Sequence, residues 1–134
     1  MSKTVLVTGI SGFIGLYCAK ELLDKGYKVI GTVRNSAKRE EVINTFKKND
    51  INSKNLTFEI LELTSNNGWD KAIQDCEYVM HVASPFRIAN PKNENDMISP
   101  AVAGTRRVLE ASQKAGIKRV VLTSSIVSMM SSIR

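Results

Sequence analysis

The sequence predicts an α/β fold, a doubly wound parallel sheet of about five strands, and three observations predict it. Short β-branched apolar runs alternate with amphipathic stretches along the 134-residue chain, the order that makes right-handed crossovers and a sheet covered on both faces. The first apolar run is followed at once by glycines at positions 9, 12 and 15 and then by a helical stretch. Apolar residues make up 43% and charged residues 24%, a balance that excludes a disordered or fibrous chain. At this length the chain holds one compact domain, residues 1–134, rather than two.

Each element follows from local pattern. Lys3 to Thr8 is an apolar strand suited to the interior of a parallel sheet. After the glycine turn a helix runs to Lys25, with Phe13, Leu16, Ala19, Leu22 and Leu23 on one side, and Gly26 ends it. Tyr27 to Val33 is the second strand. Ser36 to Lys48 is an amphipathic helix through Val42, Ile43 and Phe46, capped at Ser36 or nearby. Leu56 to Leu61 is the third strand, Trp69 to Gln74 a short helix, and Tyr78 to Val82 the fourth strand. Ala83 to Glu94 carries two prolines and is a loop. A long helix from about Asp96 to Ala115 follows, with Ile98, Ala101, Val102, Thr105, Val108, Leu109 and Ser112 on one face. Pro100 must sit in its first turns or kink it. Gly116 stops it, and Lys118 to Thr123 is the fifth strand.

The bulk properties exclude several classes. No apolar run reaches the roughly 18 residues of a membrane span, and the apolar start at Thr4 to Ile10 is broken too early for a signal peptide. Cys18 and Cys76 stand apart from each other and from any histidine, so both are expected to be reduced thiols in a cytoplasmic protein, with no metal bound. Of the net charge of +6, residues 25–54 carry +5, with eight cations against three carboxylates. No aromatic-interleaved basic motif of a nucleic-acid reader appears there. A solvated helix face accounts for most of them, and some attract a small polyanion.

A glycine-rich turn between the first strand and the first helix is the context of a dinucleotide fingerprint. Gly9 permits the tight turn, Gly12 lets the backbone approach a pyrophosphate, and Gly15 lets helix and strand pack closely. The helix N-terminus then offers free N–H groups to phosphate. An NAD site usually ends its second strand with a carboxylate for the ribose 2′-hydroxyl. Here that strand ends Thr32-Val33-Arg34, with no acid before Glu40. A guanidinium there can bind a 2′-phosphate in bidentate fashion, so Arg34 points to NADP, with Lys38 or Arg39 as a second cation and NAD as the alternative.

Taken together, TGISGFIG (8–15), GTVRN (31–35), LELTSNNGW (61–69), HVASPF (81–86), PAVAGT (100–105) and KRVVLTSS (118–125) resemble the N-terminal part of an extended short-chain dehydrogenase/reductase. The nearest resemblance is to the dihydroflavonol reductase-like, NAD-dependent epimerase/dehydratase group. The resemblance implies a Rossmann-type domain in which Thr8, Gly9, Gly12, Phe13, Ile14 and Gly15 take the pyrophosphate and Arg34 and Lys38 the 2′-phosphate. It places Glu62-Leu63 where the family usually has Asp-Leu at the adenine. Val82, Ala83 and Ser84 would line the nicotinamide ribose, with Thr123 beneath the nicotinamide. Ser125, or less favourably Ser124, matches the catalytic serine. His81 is read as structural, Trp69 as a packing residue, and Met129 and Met130 as apolar filler.

The family's chemistry also needs a Tyr with a Lys four residues later, the Lys lowering the tyrosine pKa. Tyr17, Tyr27 and Tyr78 are followed four residues on by Glu21, Gly31 and Val82. The resemblance therefore implies an NAD(P)-dependent oxidoreductase cut before its catalytic helix and substrate lobe, able to bind the dinucleotide but inactive alone. Three readings stand: the cofactor part of a reductase of a small carbonyl or alcohol, of a nucleotide-sugar epimerase/dehydratase, or a non-catalytic dinucleotide-binding or redox-sensing module. HVASPF favours the first. The expected partners are a small-molecule substrate in the longer enzyme and a second copy of the chain, with neither nucleic acid nor membrane. The family's dimer contact would fall on the long helix, where Val102, Val108 and Leu109 would lack their cover.

Overall fold

A computed structural model describes residues 3–85 and 91–130; Phe86, the last residue of HVASPF, lies outside the described residues. The elements in order are β1 (Thr4–Thr8), α1 (Phe13–Asp24), β2 (Lys28–Val33), α2 (Ser36–Lys48) and β3 (Leu56–Ile60). They continue with α3 (Trp69–Ile73), β4 (Tyr78–His81), α4 (Asn95–Lys114), β5 (Arg119–Leu122) and a 3-10 turn at Ile126–Met129. The described residues form one five-stranded sheet of order β3-β2-β1-β4-β5, every pair parallel. This is the doubly wound architecture the alternation predicts. The strands and α1 fall short of their expected ends by a residue or so, where pairing or helical geometry gives out.

Alternation along the strands splits the core into two layers, because successive side chains of a strand point to opposite faces. Val5 and Val7 join Ile10, Ala19, Val29, Val33, Val42 and Phe46 beneath α1 and α2. Leu6 joins Trp69, Ala72, Ile73, Val79, Val108 and Ala111 beneath α3 and α4. Burying each large side chain contributes about 1.5–3 kcal/mol. The helix α2 is capped by Asn35, whose side chain accepts from the Lys38 N–H, and Lys47 and Lys48 sit in its last turn, where cations oppose the dipole.

Two expected faces are corrected. Phe13 is 80% exposed, because it opens α1 just as the chain leaves the sheet edge, and only Gly15 and Ala19 of that helix are fully buried. Helix α4 packs through Gly104, Val108, Ala111 and Ser112, while Ile98, Val102 and Leu109 remain 52%, 51% and 41% exposed. The expected stripe merged two faces about a third of a turn apart: Val108 belongs to the core, and Val102 and Leu109 do not. Pro100 is the sixth residue of this helix, in its second turn, where it removes the bond that an N–H would make to the Asp96 carbonyl. Cys18 and Cys76 are free, and burial, followed by the charge of Asp75, pushes the Cys76 thiol up to about 11.

Two outcomes follow for stability. A Cβ at Gly15 would lie 2.2 Å from the Gly9 carbonyl oxygen, so Gly15→Ala should lower the free energy of unfolding by about 1–3 kcal/mol, as overpacking does, in urea denaturation. His81 is 2% exposed, and burial holds its pKa below the ordinary 6.5. The unfolded chain therefore takes up the imidazole proton more readily. The stability this group contributes is complete above pH 6.5 and drains as pH falls below it, which a series of thermal melts between pH 5 and 8 will read.

Candidate functional site

Because every strand is parallel, the C-terminal ends of all five lie along one edge of the sheet. The residues singled out in the sequence follow those ends: 9–15 after β1, Arg34 after β2, Glu62 and Leu63 after β3, Val82 to Ser84 after β4, and Thr123 to Ser125 after β5. The strand order reverses between β1 and β4, and ligands of open α/β sheets bind in the crevice at such a reversal. Thr8, Gly9, Val82 and Ala83 meet at that crevice.

The glycine turn is fixed by its neighbours on both sides. Toward β2, the Gly9 N–H donates to the Thr32 hydroxyl at 3.2 Å, and the Ile10 N–H donates to the Thr32 carbonyl at 3.2 Å. The Ile10 side chain is fully buried and lies over Gly31, where a Cβ would meet it at 2.5 Å. Toward β4, the Thr8 hydroxyl oxygen accepts from the N–H groups of Val82 at 2.9 Å and Ala83 at 3.0 Å and lies 2.8 Å from His81 Nδ1. Thr32 and His81 thus act on this site in ways the sequence pattern does not announce. Their one signal is a polar residue at the end of a buried strand.

The three glycines differ in what demands them. Gly9 has φ +68°, and a Cβ there would press on Ala83 at 2.9 Å; Gly15 is held by the close approach described above. Gly12 has φ −79° and ψ 164°, open to any residue, and a Cβ there would meet only the Gly9 carbonyl oxygen, at an ordinary 3.4 Å. Among the described residues nothing demands a glycine at that position. It is the N-cap of α1 and brings no side-chain cap, so the N–H groups of Phe13, Ile14 and Gly15 have neither an intrahelical acceptor nor a capping side chain. The side chains of Phe13 and Ile14 are exposed and do not cover this start of the helix, whose amides make a cradle suited to a phosphate.

At the neighbouring ends the fit is uneven. Arg34 is exposed, and among the described residues it makes no ion pair. Lys38 is held by Glu41 at 3.0 Å, a surface pair worth about 0.3–0.5 kcal/mol. The Arg39 guanidinium lies over the Phe58 ring, 5.8 Å from its centroid. The Glu62 carboxylate is exposed and accepts from the Thr64 hydroxyl at 3.3 Å. The loop beyond β3 is clamped by Trp69 Nε1, which donates to the Glu62 and Ser65 carbonyls, and by Arg107, which donates to the Leu63 carbonyl and to Asn66. Trp69 packs as expected and also holds that loop, and Arg107 carries no signal in the sequence.

Beyond β5, the Thr123 N–H donates to the His81 carbonyl at 3.0 Å, extending the ladder past the strand ends. Ser125 is exposed, and its Oγ accepts from the Val127 N–H at 3.2 Å as the cap of the 3-10 turn. The one described hydrogen bond between a lysine and a tyrosine side chain joins Lys3 Nζ to the Tyr78 hydroxyl. It sits at the N-terminal edge of the sheet, away from the crevice. Among the described residues no helix is long and apolar enough to cross a membrane.

Known proteins share this arrangement. An uncharacterized oxidoreductase of Saccharomyces cerevisiae is 40% identical over 138 residues, spanning 97% of this chain and 39% of its own length. Dihydroflavonol 4-reductase of Solanum lycopersicum is 38% identical over 125 residues, spanning 92% of this chain and 33% of its own. The crystal structure of yeast methylglyoxal/isovaleraldehyde reductase Gre2 complexed with NADPH superposes with a TM-score of 0.77 at 33% identity, covering 91% of this chain and 37% of that one. The chain therefore spans between 33% and 39% of the length of these proteins. The profile of the NAD dependent epimerase/dehydratase family matches residues 5–132, nearly the whole sheet and both of its helical layers, and the chain belongs to that family.

Proposed function

We propose that residues 1–134 form the NADP-binding part of a cytoplasmic reductase acting on a small carbonyl or alcohol compound. The observation that carries the reading is Gly12: a glycine that the described residues do not demand, at the uncapped start of α1, beside the reversal of strand order. The pyrophosphate belongs there, over Thr8 to Gly15. Arg34 takes the 2′-phosphate, with Lys38 free to leave Glu41 and join it at small cost. Glu62 and Leu63 flank the adenine, Val82, Ala83 and Ser84 the nicotinamide ribose, and Thr123 the nicotinamide. The dinucleotide, when bound, would supply a hydride to a carbonyl in its reduced form or take one from an alcohol in its oxidised form.

The chain's own residues bind and orient; they do not complete the proton transfer. Ser125 Oγ accepts from the Val127 N–H and keeps its own proton to donate to a substrate oxygen. None of the three tyrosines carries the lysine partner that a general acid of this kind requires, so the chain alone is inactive. The exposed apolar residues Ile98, Val102 and Leu109 of α4 support contact with a second copy. The tract HVASPF and the names of the reductase relatives favour a reductase over a nucleotide-sugar enzyme.

Calorimetric titration tests the cofactor. NADP should bind more tightly than NAD, and Arg34→Asp should weaken NADP by about 1.5–3 kcal/mol, the value of a charged hydrogen bond. Equal affinity for both nucleotides would sink the assignment of Arg34. Gly12→Val should abolish binding of either nucleotide while changing folding stability by no more than about 1 kcal/mol, since a helix N-cap tolerates it at roughly that cost. Undiminished binding by a folded Gly12→Val protein would refute the pyrophosphate site.

A further inference from the structure

We propose that His81 is a positioning residue for the dinucleotide turn, setting through the Thr8 hydroxyl the place of the Val82–Ala83 main chain against Gly9, and that protonation of its imidazole releases that hold. The inference rests on the dinucleotide reading of the site.

The argument starts from the valence of one oxygen. A hydroxyl has two acceptor lone pairs and one proton. Thr8 Oγ1 accepts from the N–H groups of Val82 and Ala83, which uses both lone pairs. Its proton has one remaining partner, His81 Nδ1 at 2.8 Å. The imidazole must therefore be neutral, with its hydrogen on Nε2, for all three bonds to exist together. A protonated ring would present an Nδ1–H to an oxygen whose lone pairs are already taken. One of the three bonds must then be lost. Thr8 is fully buried and His81 nearly so, so no water stands ready to replace it at the same cost.

The consequence reaches the ligand cradle in two steps. Ala83 is packed on Gly9 so closely that even a Cβ there would lie 2.9 Å from the Ala83 Cβ and 3.0 Å from its Cα. Gly9, tied to Thr32 on its other side, carries the turn that opens α1. Loss of a Thr8 bond thus loosens the seat of Gly9 and of the amides that follow. No described charge overrides the switch. β1, the turn 9–12, the segment 82–85 and residues 123–125 contain no ionisable side chain. On β5, Arg119 lies beside Tyr78, while Leu122 is the neighbour of His81. On α4, Arg107 is bound at Leu63 and Asn66, Lys114 at Asp70, Arg106 and Glu110 line the outer groove with α3, and Asp96 is exposed in the first turn.

The test compares the chain with His81→Asn, whose amide oxygen can accept the Thr8 proton without titrating. NADP⁺ affinity is measured at pH 7.5 and 5.5 for each protein, so that titration of the nucleotide itself cancels. Between those pH values the affinity of the wild type should fall relative to the fall seen in His81→Asn, the direction expected when the imidazole takes up a proton more readily with the latch open than with it closed. Hydrogen exchange of the Val82 and Ala83 amides, referenced to Leu6 and Val7, is followed without nucleotide. It should accelerate at pH 5.5 in the wild type only, and at both pH values in Thr8→Val, with protection restored in Thr8→Ser. Identical pH responses of wild type and His81→Asn in affinity and exchange would overturn the proposal. Failure of the wild type to bind any dinucleotide at pH 7.5 would instead overturn the dinucleotide reading, and exchange alone would then decide whether the latch exists.

Discussion

Helix α1 can meet β1 only because Gly15 has no side chain, and most of what the chain offers a ligand depends on that approach. The helix crosses over the Gly9 carbonyl at a distance that leaves no room for a Cβ. Its first N–H groups are thereby carried to the sheet edge, beside the point where the strand order reverses. A bulkier residue would tilt or lift the helix, and the amides would no longer converge on one place. Packing here decides electrostatics: the partial positive charge of a helix N-terminus falls off within a turn, so an ångström of displacement matters more than any change in net charge.

The same edge is stitched by hydroxyls and not by ions. Thr32 binds the turn to β2 and Thr8 binds it to β4. A buried carboxylate or ammonium in either place would carry a desolvation cost of several kcal/mol and would need a partner. A threonine satisfies the main-chain donors at far smaller cost and leaves the site without a fixed charge to repel phosphate. Positive charge is instead kept at the rim, on Arg34 and Lys38, where water solvates it until a ligand arrives.

How far the sequence reveals this depends on whether a feature is local. The five strands, their order along the chain and the glycine turn are legible because period-two and period-3.6 patterns and turn chemistry act over a few residues. The burial face of α4 is not. Ile98, Val102, Thr105 and Leu109 satisfy a helical period as well as Gly104, Val108, Ala111 and Ser112 do, and only the tertiary position of Leu63 and Trp69 beneath the helix selects the second set. Arg107 and Trp69 hold a loop through carbonyl oxygens, and a carbonyl leaves no mark in a sequence. The position of Gly12 is legible, but its meaning requires the geometry, since the sequence alone cannot separate a glycine demanded by the fold from one demanded by something outside it.

That separation also bears on the exposed surface. Val102 and Leu109 of α4, Val121 and Leu122 of β5, and Ile126, Val127, Met129 and Met130 beyond it are all more than two fifths exposed, and β5 is an edge of the sheet. An edge strand flanked by apolar residues is a template for further pairing. The opposite edge, β3, alternates Thr57 and Glu59 with its apolar residues, as a strand facing water does. The two edges are therefore unequal by composition. Relatives that match this chain are more than twice as long as the part matched, and β5 is an edge at which further strands can join the sheet away from the reversal of strand order between β1 and β4.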